Sequence, residues 1–259
     1  MIKQLRLLSL LLVLLFVAVQ AAWEQWRAGD WSNPQLLMVY PVAGDGAADT
    51  ARYVAGLKAS EFEAIEQFFA QQARAHGVLS ERPIRVLLGP ALSSVPPRIP
   101  ERASALEAMG WALRMRWWAW RHTPPSSPVP QVRMFLIYHS EHSTLESLPH
   151  STALQKGRIG VAHLWASTEQ AEQNAVVVAH EALHTWGASD KYDRDTLMPL
   201  FPQGYAQPHQ WPRHPQAQTE LMAGRRALDD THSRMPADLS EVVVGESTAL
   251  EIGWRDTAR

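Results

Sequence analysis

The segment Ala179-His180-Glu181-Ala182-Leu183-His184-Thr185-Trp186-Gly187-Ala188-Ser189-Asp190 constrains this chain more than any other, because its polar residues fit together in one local geometry. Four residues span a little over one helical turn of about 3.6 residues. On a helix, His180 and His184 therefore share a face, and each can bring an imidazole nitrogen about 2 Å from one zinc ion. Glu181 lies about 100° further around the helix, near the metal yet badly placed to bind it. The pattern HExxH gives it the role of general base toward water on the metal. Two protein ligands rarely suffice, and Asp190 supplies a third only if the helix stops first, since continued helix would carry it roughly 9 Å along the axis from His184. Gly187 stands where a helix C-terminus favours a left-handed residue. It is expected to reverse the chain and bring Asp190 beneath the histidines, with a fourth position open for water and substrate.

Composition narrows the chemistry. The chain has no cysteine, which removes thiolate metal sites, Cys nucleophiles and disulfides, and leaves carboxylates and 11 histidines as ligands. Its 259 residues, 46% hydrophobic, are enough for one large or two small domains with a real core. Lys plus Arg number 24 against 26 Asp plus Glu, so no general positive field marks nucleic acid as a partner. At the N-terminus, Lys3 and Arg6 precede an apolar run from Leu7 to Val19, and small residues Ala21 and Ala22 follow it. Residues 1–22 are expected to be either a signal peptide, or an N-terminal membrane anchor whose interface flank holds Trp23, Trp26 and Trp31. In both cases the remaining residues, 23–259, are expected outside the cytoplasm: periplasmic, secreted, or anchored to the inner membrane through residues 7–22.

The order of elements predicts an α+β fold. Leu36 to Val42 reads as a strand, Ser60 to His76 as a helix buried through Phe62, Ile65, Phe68 and Phe69, and Ile84 to Leu88 as a second strand. After a Pro-rich loop comes a long helix. Its stripe of Leu106, Met109, Leu113, Trp117 and Trp120 is expected to face the core rather than a membrane surface, with Arg114, Arg116 and Arg121 mostly elsewhere on the wheel. Val132 to Tyr138 is a third strand, apolar enough for the centre of a sheet. Ile159 to Trp165 alternates, and its Gly160 and His163 suit an edge strand. The site helix covers Ala171 to Trp186, and an irregular Pro-, Gly- and His-rich region leads to a last helix around Ser247 to Trp254.

The string HExxHxxGxxD resembles the extended zinc-binding signature of the metzincin clan of metallopeptidases, with Asp in place of the third His as in the small snapalysin-type bacterial proteases. The strand and helix order is similar too. The resemblance implies a zincin-like mixed sheet with an active-site helix over residues 23–259, one catalytic zinc, and Met222 as the methionine of the turn beneath the metal; Met198 competes for that place. Asp190-Lys191-Tyr192-Asp193 also looks like a string found in uncharacterised bacterial metallopeptidase-like proteins. Tyr192 and Tyr205 are candidates to stabilise an oxyanion, or simply partly buried tyrosines with structural hydrogen bonds. Asp193 and Asp195 suit a solvated turn as well as a role beside a ligand or calcium, and His209, His214 and His232 read as surface residues. The expected activity is zinc-dependent cleavage of peptide bonds. Glu181 activates water and passes the proton to the leaving amine, and a peptide or protein substrate adds as a strand to the edge Ile159–Trp165. The rival is a membrane-proximal binding or assembly protein with a structural or latent zinc site, and a hydrolase acting on another amide is a third reading. An intact Glu181 favours catalysis, because a structural site has no need of a base.

Overall fold

A computed structural model describes residues 30–255 except 101, 102, 144 and 146, together with a few isolated positions before residue 30. Most of residues 1–22, where the signal peptide or anchor is expected, lies outside the described residues. Membrane association through residues 7–22 is corrected: among the described residues no helix is long and apolar enough to cross a membrane.

The core is one mixed sheet of five strands in the order β2-β1-β3-β5-β4. Strands β1 (Gln35–Ala43), β2 (Ile84–Leu88), β3 (Val132–His139) and β5 (Ile159–Trp165) run parallel, and the short β4 (Thr152–Leu154) pairs antiparallel with β5. Successive side chains point to opposite faces of a strand. Leu37, Val39, Leu136, Tyr138, Ala162 and Leu164 therefore fall on one side, while Met38, Tyr40, Phe135, Ile137 and Val161 fall on the other. Helix α1 (Ala48–Gly56), which the sequence pattern does not announce, joins α2 (Glu63–Ala75) on the first side. Helix α3 (Ala105–His122) covers the second side. Helix α4 (Ala171–Thr185) packs on the first, and the chain beyond it is loops with two small two-stranded pairings, Thr219–Glu220 with Val242–Val243 and Arg226–Ala227 with Ser233–Arg234, until α5 (Glu246–Glu251).

Two expectations are overturned. Helix α3 is turned over: Trp111, Met115, Trp118 and Ala119 face the sheet, whereas Leu106, Met109, Leu113, Trp117 and Trp120 are 57% to 75% exposed. The helix carries an apolar stripe on each of two faces roughly 180° apart, so periodicity alone does not choose between them. The choice is made by contacts at the rim. The Trp111 indole donates to Pro97 O at 2.8 Å, and the Arg116 guanidinium donates to Lys156 O. The start of the helix is closed by a capping box between Ser104 and Glu107.

Strand β5, for its part, is interior. It pairs with β3 along its whole length and with β4 through Thr152–Val161, Ala153–Gly160 and Leu154–Ile159, so β4 forms the edge. Gly160 is there for space: a Cβ would lie 2.0 Å from the Met134 sulfur on the neighbouring strand. His163 has a buried partner, with its Nδ1 2.9 Å from His139 Nε2 and the rings stacked. Burial pushes His163 down to about 4 and lowers His139 as well.

Candidate metal centre

Helix α4 leaves the end of β5 and runs back along the sheet. Its start is clamped there, because Asn174 Oδ1 accepts from Trp165 N–H at 3.2 Å and its amide donates to Trp165 O at 2.9 Å. Val176, Val178, Ala179, Ala182 and Leu183 enter the core, which fixes the rotation of the helix. That rotation leaves His180 and His184 half-buried on one side, with the buried Glu181 beside them. One donor atom from each of these three residues lies within 4.8 Å of the others, so a His-Glu-His cluster with HExxH spacing and the means to hold a metal ion is present.

The helix stops at Thr185. Trp186 is buried against Trp31 with ring centroids 5.5 Å apart, and Gly187 takes φ of 107°, a left-handed conformation that disfavours any Cβ. A side chain there would also lie 2.6 Å from Gln155 Nε2. The reversal is held by Gly187 N–H to His184 O at 3.1 Å and Ala188 N–H to Leu183 O at 3.1 Å. Asp190 then meets the helix from below: its Oδ1 is 3.4 Å from His180 Nε2 and 3.1 Å from His184 Nε2, and the two Nε2 atoms are 3.1 Å apart. Donors about 2.0 Å from a tetrahedral ion are separated by roughly 3.3 Å, so this triangle has the dimensions of one face of a zinc site.

The surroundings match those dimensions. His180 Nδ1 donates to Leu221 O at 2.8 Å and His184 Nδ1 donates to Ala188 O at 2.7 Å, which turns both Nε2 atoms toward the shared space. Asp190 Oδ1 is buried and, though close to both rings, is aligned with neither as a hydrogen-bond acceptor.

Electrostatics makes the same point. Burial alone would lower the His180 pKa, but contact with Asp190 and the charge of Glu181 override it and raise it to about 9. Burial would likewise raise Asp190, but the two imidazoles hold its carboxyl far below the ordinary carboxylate range. Glu181 is 5% exposed, burial pushes its pKa up, and its Oε2 is buried with no hydrogen-bond partner.

Tyr192 is half-buried against Asp190 and near Glu181, and burial together with those two negative charges pushes its hydroxyl up. Tyr205 packs instead against Phe201 and His214, in the region that follows the site. Met222 is fully buried in the short turn Leu221–Ala223, the same turn that offers Leu221 O to His180, whereas Met198 is half-buried and its carbonyl accepts from Asp193 N–H. The Asp193 carboxylate closes its own turn through Asp195 N–H and Thr196 N–H. His209 is exposed, His214 is paired with Asp230 and His232 with Asp229. Three supports went unread in the sequence: the carbonyls of Leu221 and Ala188, which leave no side-chain signal, and the Lys191–Glu251 pair, whose members lie 60 residues apart. No family model matches this chain, and no curated protein matches it.

Proposed function

We propose that this protein is a zinc-dependent peptidase of metzincin-like type, in which His180, His184 and Asp190 hold one zinc ion and Glu181 is the general base. The observation that carries the reading is the triangle of 3.1, 3.1 and 3.4 Å with an unpartnered buried carboxylate beside it. When bound, zinc supplies a Lewis acid toward a carbonyl oxygen and brings the pKa of water to about 7. Glu181, held dry and without a partner of its own, accepts a proton from the attacking water and returns it to the leaving amine. The Tyr192 hydroxyl, kept protonated by its raised pKa, donates to the oxyanion that develops. An extended substrate adds to the free edge at β4, which packs against α4, instead of to β5. Export from the cytoplasm belongs to this reading on the strength of Lys3, Arg6 and the run from Leu7 to Val19.

A structural zinc site would leave Glu181 without a task. Glu181→Gln keeps the shape and removes the base, so it should bind zinc as the parent does while chelator-sensitive cleavage of an unfolded protein falls by about 10² to 10⁴. His184→Ala should lose both. Equal turnover by Glu181→Gln and the parent would replace the peptidase reading with the structural one.

A further inference from the structure

Helix α5 reaches the candidate centre along two separate hydrogen-bond routes. On the first, the Glu251 carboxylate accepts from Ser189 N–H at 2.9 Å, from the Ser189 hydroxyl at 2.8 Å and from the Lys191 ammonium at 2.7 and 2.8 Å. Lys191 also donates to Ser189 O at 3.0 Å, and its backbone N–H donates to Met222 O at 2.8 Å. Asp190 is the residue between Ser189 and Lys191, so both of its neighbours are tied down. On the second route, Glu220 Oε1 accepts from Gly245 N–H at 3.1 Å and from the Thr248 hydroxyl at 2.7 Å, while Oε2 accepts from Ala223 N–H at 3.0 Å. That last bond closes the turn whose Leu221 carbonyl receives the His180 N–H.

Both routes bury ionisable groups, with Glu220 fully buried, its pKa pushed up by that burial, and Lys191 4% exposed. Burying a charged group is costly even when it is paired, and an apolar pair would fill the same volume at least as stably. What charged groups add is direction. We infer that α5 is the clamp of the metal centre: Lys191 with Glu251 sets the aim of Asp190, Glu220 with Thr248 sets the aim of His180, and these four are positioning residues for the ligand set. The inference rests on the zinc reading above. Groups bonded directly to a ligand change metal affinity by about 10- to 100-fold when removed, and these four act one step further out, so the lower end of that range is their upper bound.

The test uses the full chain, with zinc affinity measured by chelator competition and ligand geometry by the visible spectrum of bound cobalt(II). Glu251→Ala should weaken zinc binding by up to about 10-fold and alter the cobalt spectrum, and Thr248→Val should act in the same direction. Glu251→Gln, which keeps oxygen and shape, should recover part of the loss. Glu246→Ala, on the same helix but paired outward with Arg255, should leave both readouts unchanged. Met115→Ala, in the core across the sheet, should lower Tm without changing the cobalt spectrum. If Glu251→Ala does not fold, Glu251→Gln and Thr248→Val carry the measurement. Parent-like affinity and spectrum in the α5 variants overturn the clamp, as does a Met115→Ala variant that shifts the spectrum equally. A parent that binds neither zinc nor cobalt overturns the zinc reading itself, and the clamp with it.

Discussion

Helices α3 and α4 cover opposite faces of one sheet, and they use their apolar residues in opposite ways. Helix α4 sends Val176, Val178, Ala179, Ala182 and Leu183 into the core and keeps three ionisable residues at its edge. Helix α3 has more apolar surface than its face of the sheet accepts: Trp111, Met115, Trp118 and Ala119 fill that face, and a second stripe of five large apolar residues is left in solvent. The lesson is that a single apolar stripe fixes the rotation of a helix, as on α4, whereas two opposed stripes leave the choice to polar contacts. On α3 those contacts are the Trp111 indole on Pro97 O and the Arg116 guanidinium on Lys156 O.

Adjacent tryptophans give the sharpest way to break this contrast. Trp118 lies edge-on to Phe135 at 5.0 Å and is stacked on His122, whereas Trp117 is 62% exposed. Trp118→Ala should cost about 3–5 kcal/mol in chemical denaturation, the range for buried aromatic truncations. Trp117→Ala should stay within about 0.5 kcal/mol of the parent. A large loss for Trp117→Ala would mean that the outer stripe is buried in solution and the asymmetry of the two helices is false.

The interior position of β5 sharpens the comparison at smaller scale, since α4 packs on this strand and takes its place from it. In an interior strand under Met134, Gly160→Ala forces overpacking and should destabilise by about 1–3 kcal/mol. With the Met134 side chain turned aside the same substitution would be neutral or slightly stabilising, because it only removes the extra freedom of glycine from the unfolded chain. A thermal melt that does not fall for Gly160→Ala would mean that Met134 does not pack over Gly160.

These cases show what the sequence made legible. The bounds of the strands Ile84–Leu88 and Ile159–Trp165 match the sequence pattern to the residue, the first as a short apolar run after Pro83 and the second as an alternating segment, although its place in the sheet does not. The proximity of His180, His184 and Asp190 was readable from spacing, since one helical turn and one left-handed glycine leave few other paths. Three things were not readable. The rotation of α3 depends on a carbonyl at Pro97, the interior place of β5 depends on the three-residue β4, and the supports of the centre depend on α5, far along the chain. The last is a long-range pairing; the first two are closer in the chain, but a backbone carbonyl and a three-residue strand carry too little side-chain pattern to announce themselves.

The smallest predicted effect concerns pH and separates the two sides of the sheet once more, because Glu251 ties α5 to the α4 side alone. Burial of Glu251 disfavours its charged form, but Lys191 and the Ser189 donors outweigh burial and hold the carboxyl below its ordinary value. A carboxylate with a lower pKa in the folded than in the unfolded chain contributes stability above the unfolded value, about 4.3, and loses it as pH falls through the folded value. The side chain is 31% exposed, so the contribution is held to about 1 kcal/mol by solvent screening. Urea titrations should therefore show the parent losing more stability between neutral pH and pH below about 4.3 than Glu251→Gln does, a difference of at most about 1 kcal/mol. The substitution Trp117→Ala on α3 should leave the parent's pH slope unchanged. Identical slopes for Glu251→Gln and the parent would mean that Lys191 and Glu251 are not paired in solution, and the anchoring of α5 beneath the site helix would then rest on Glu220 and Thr248.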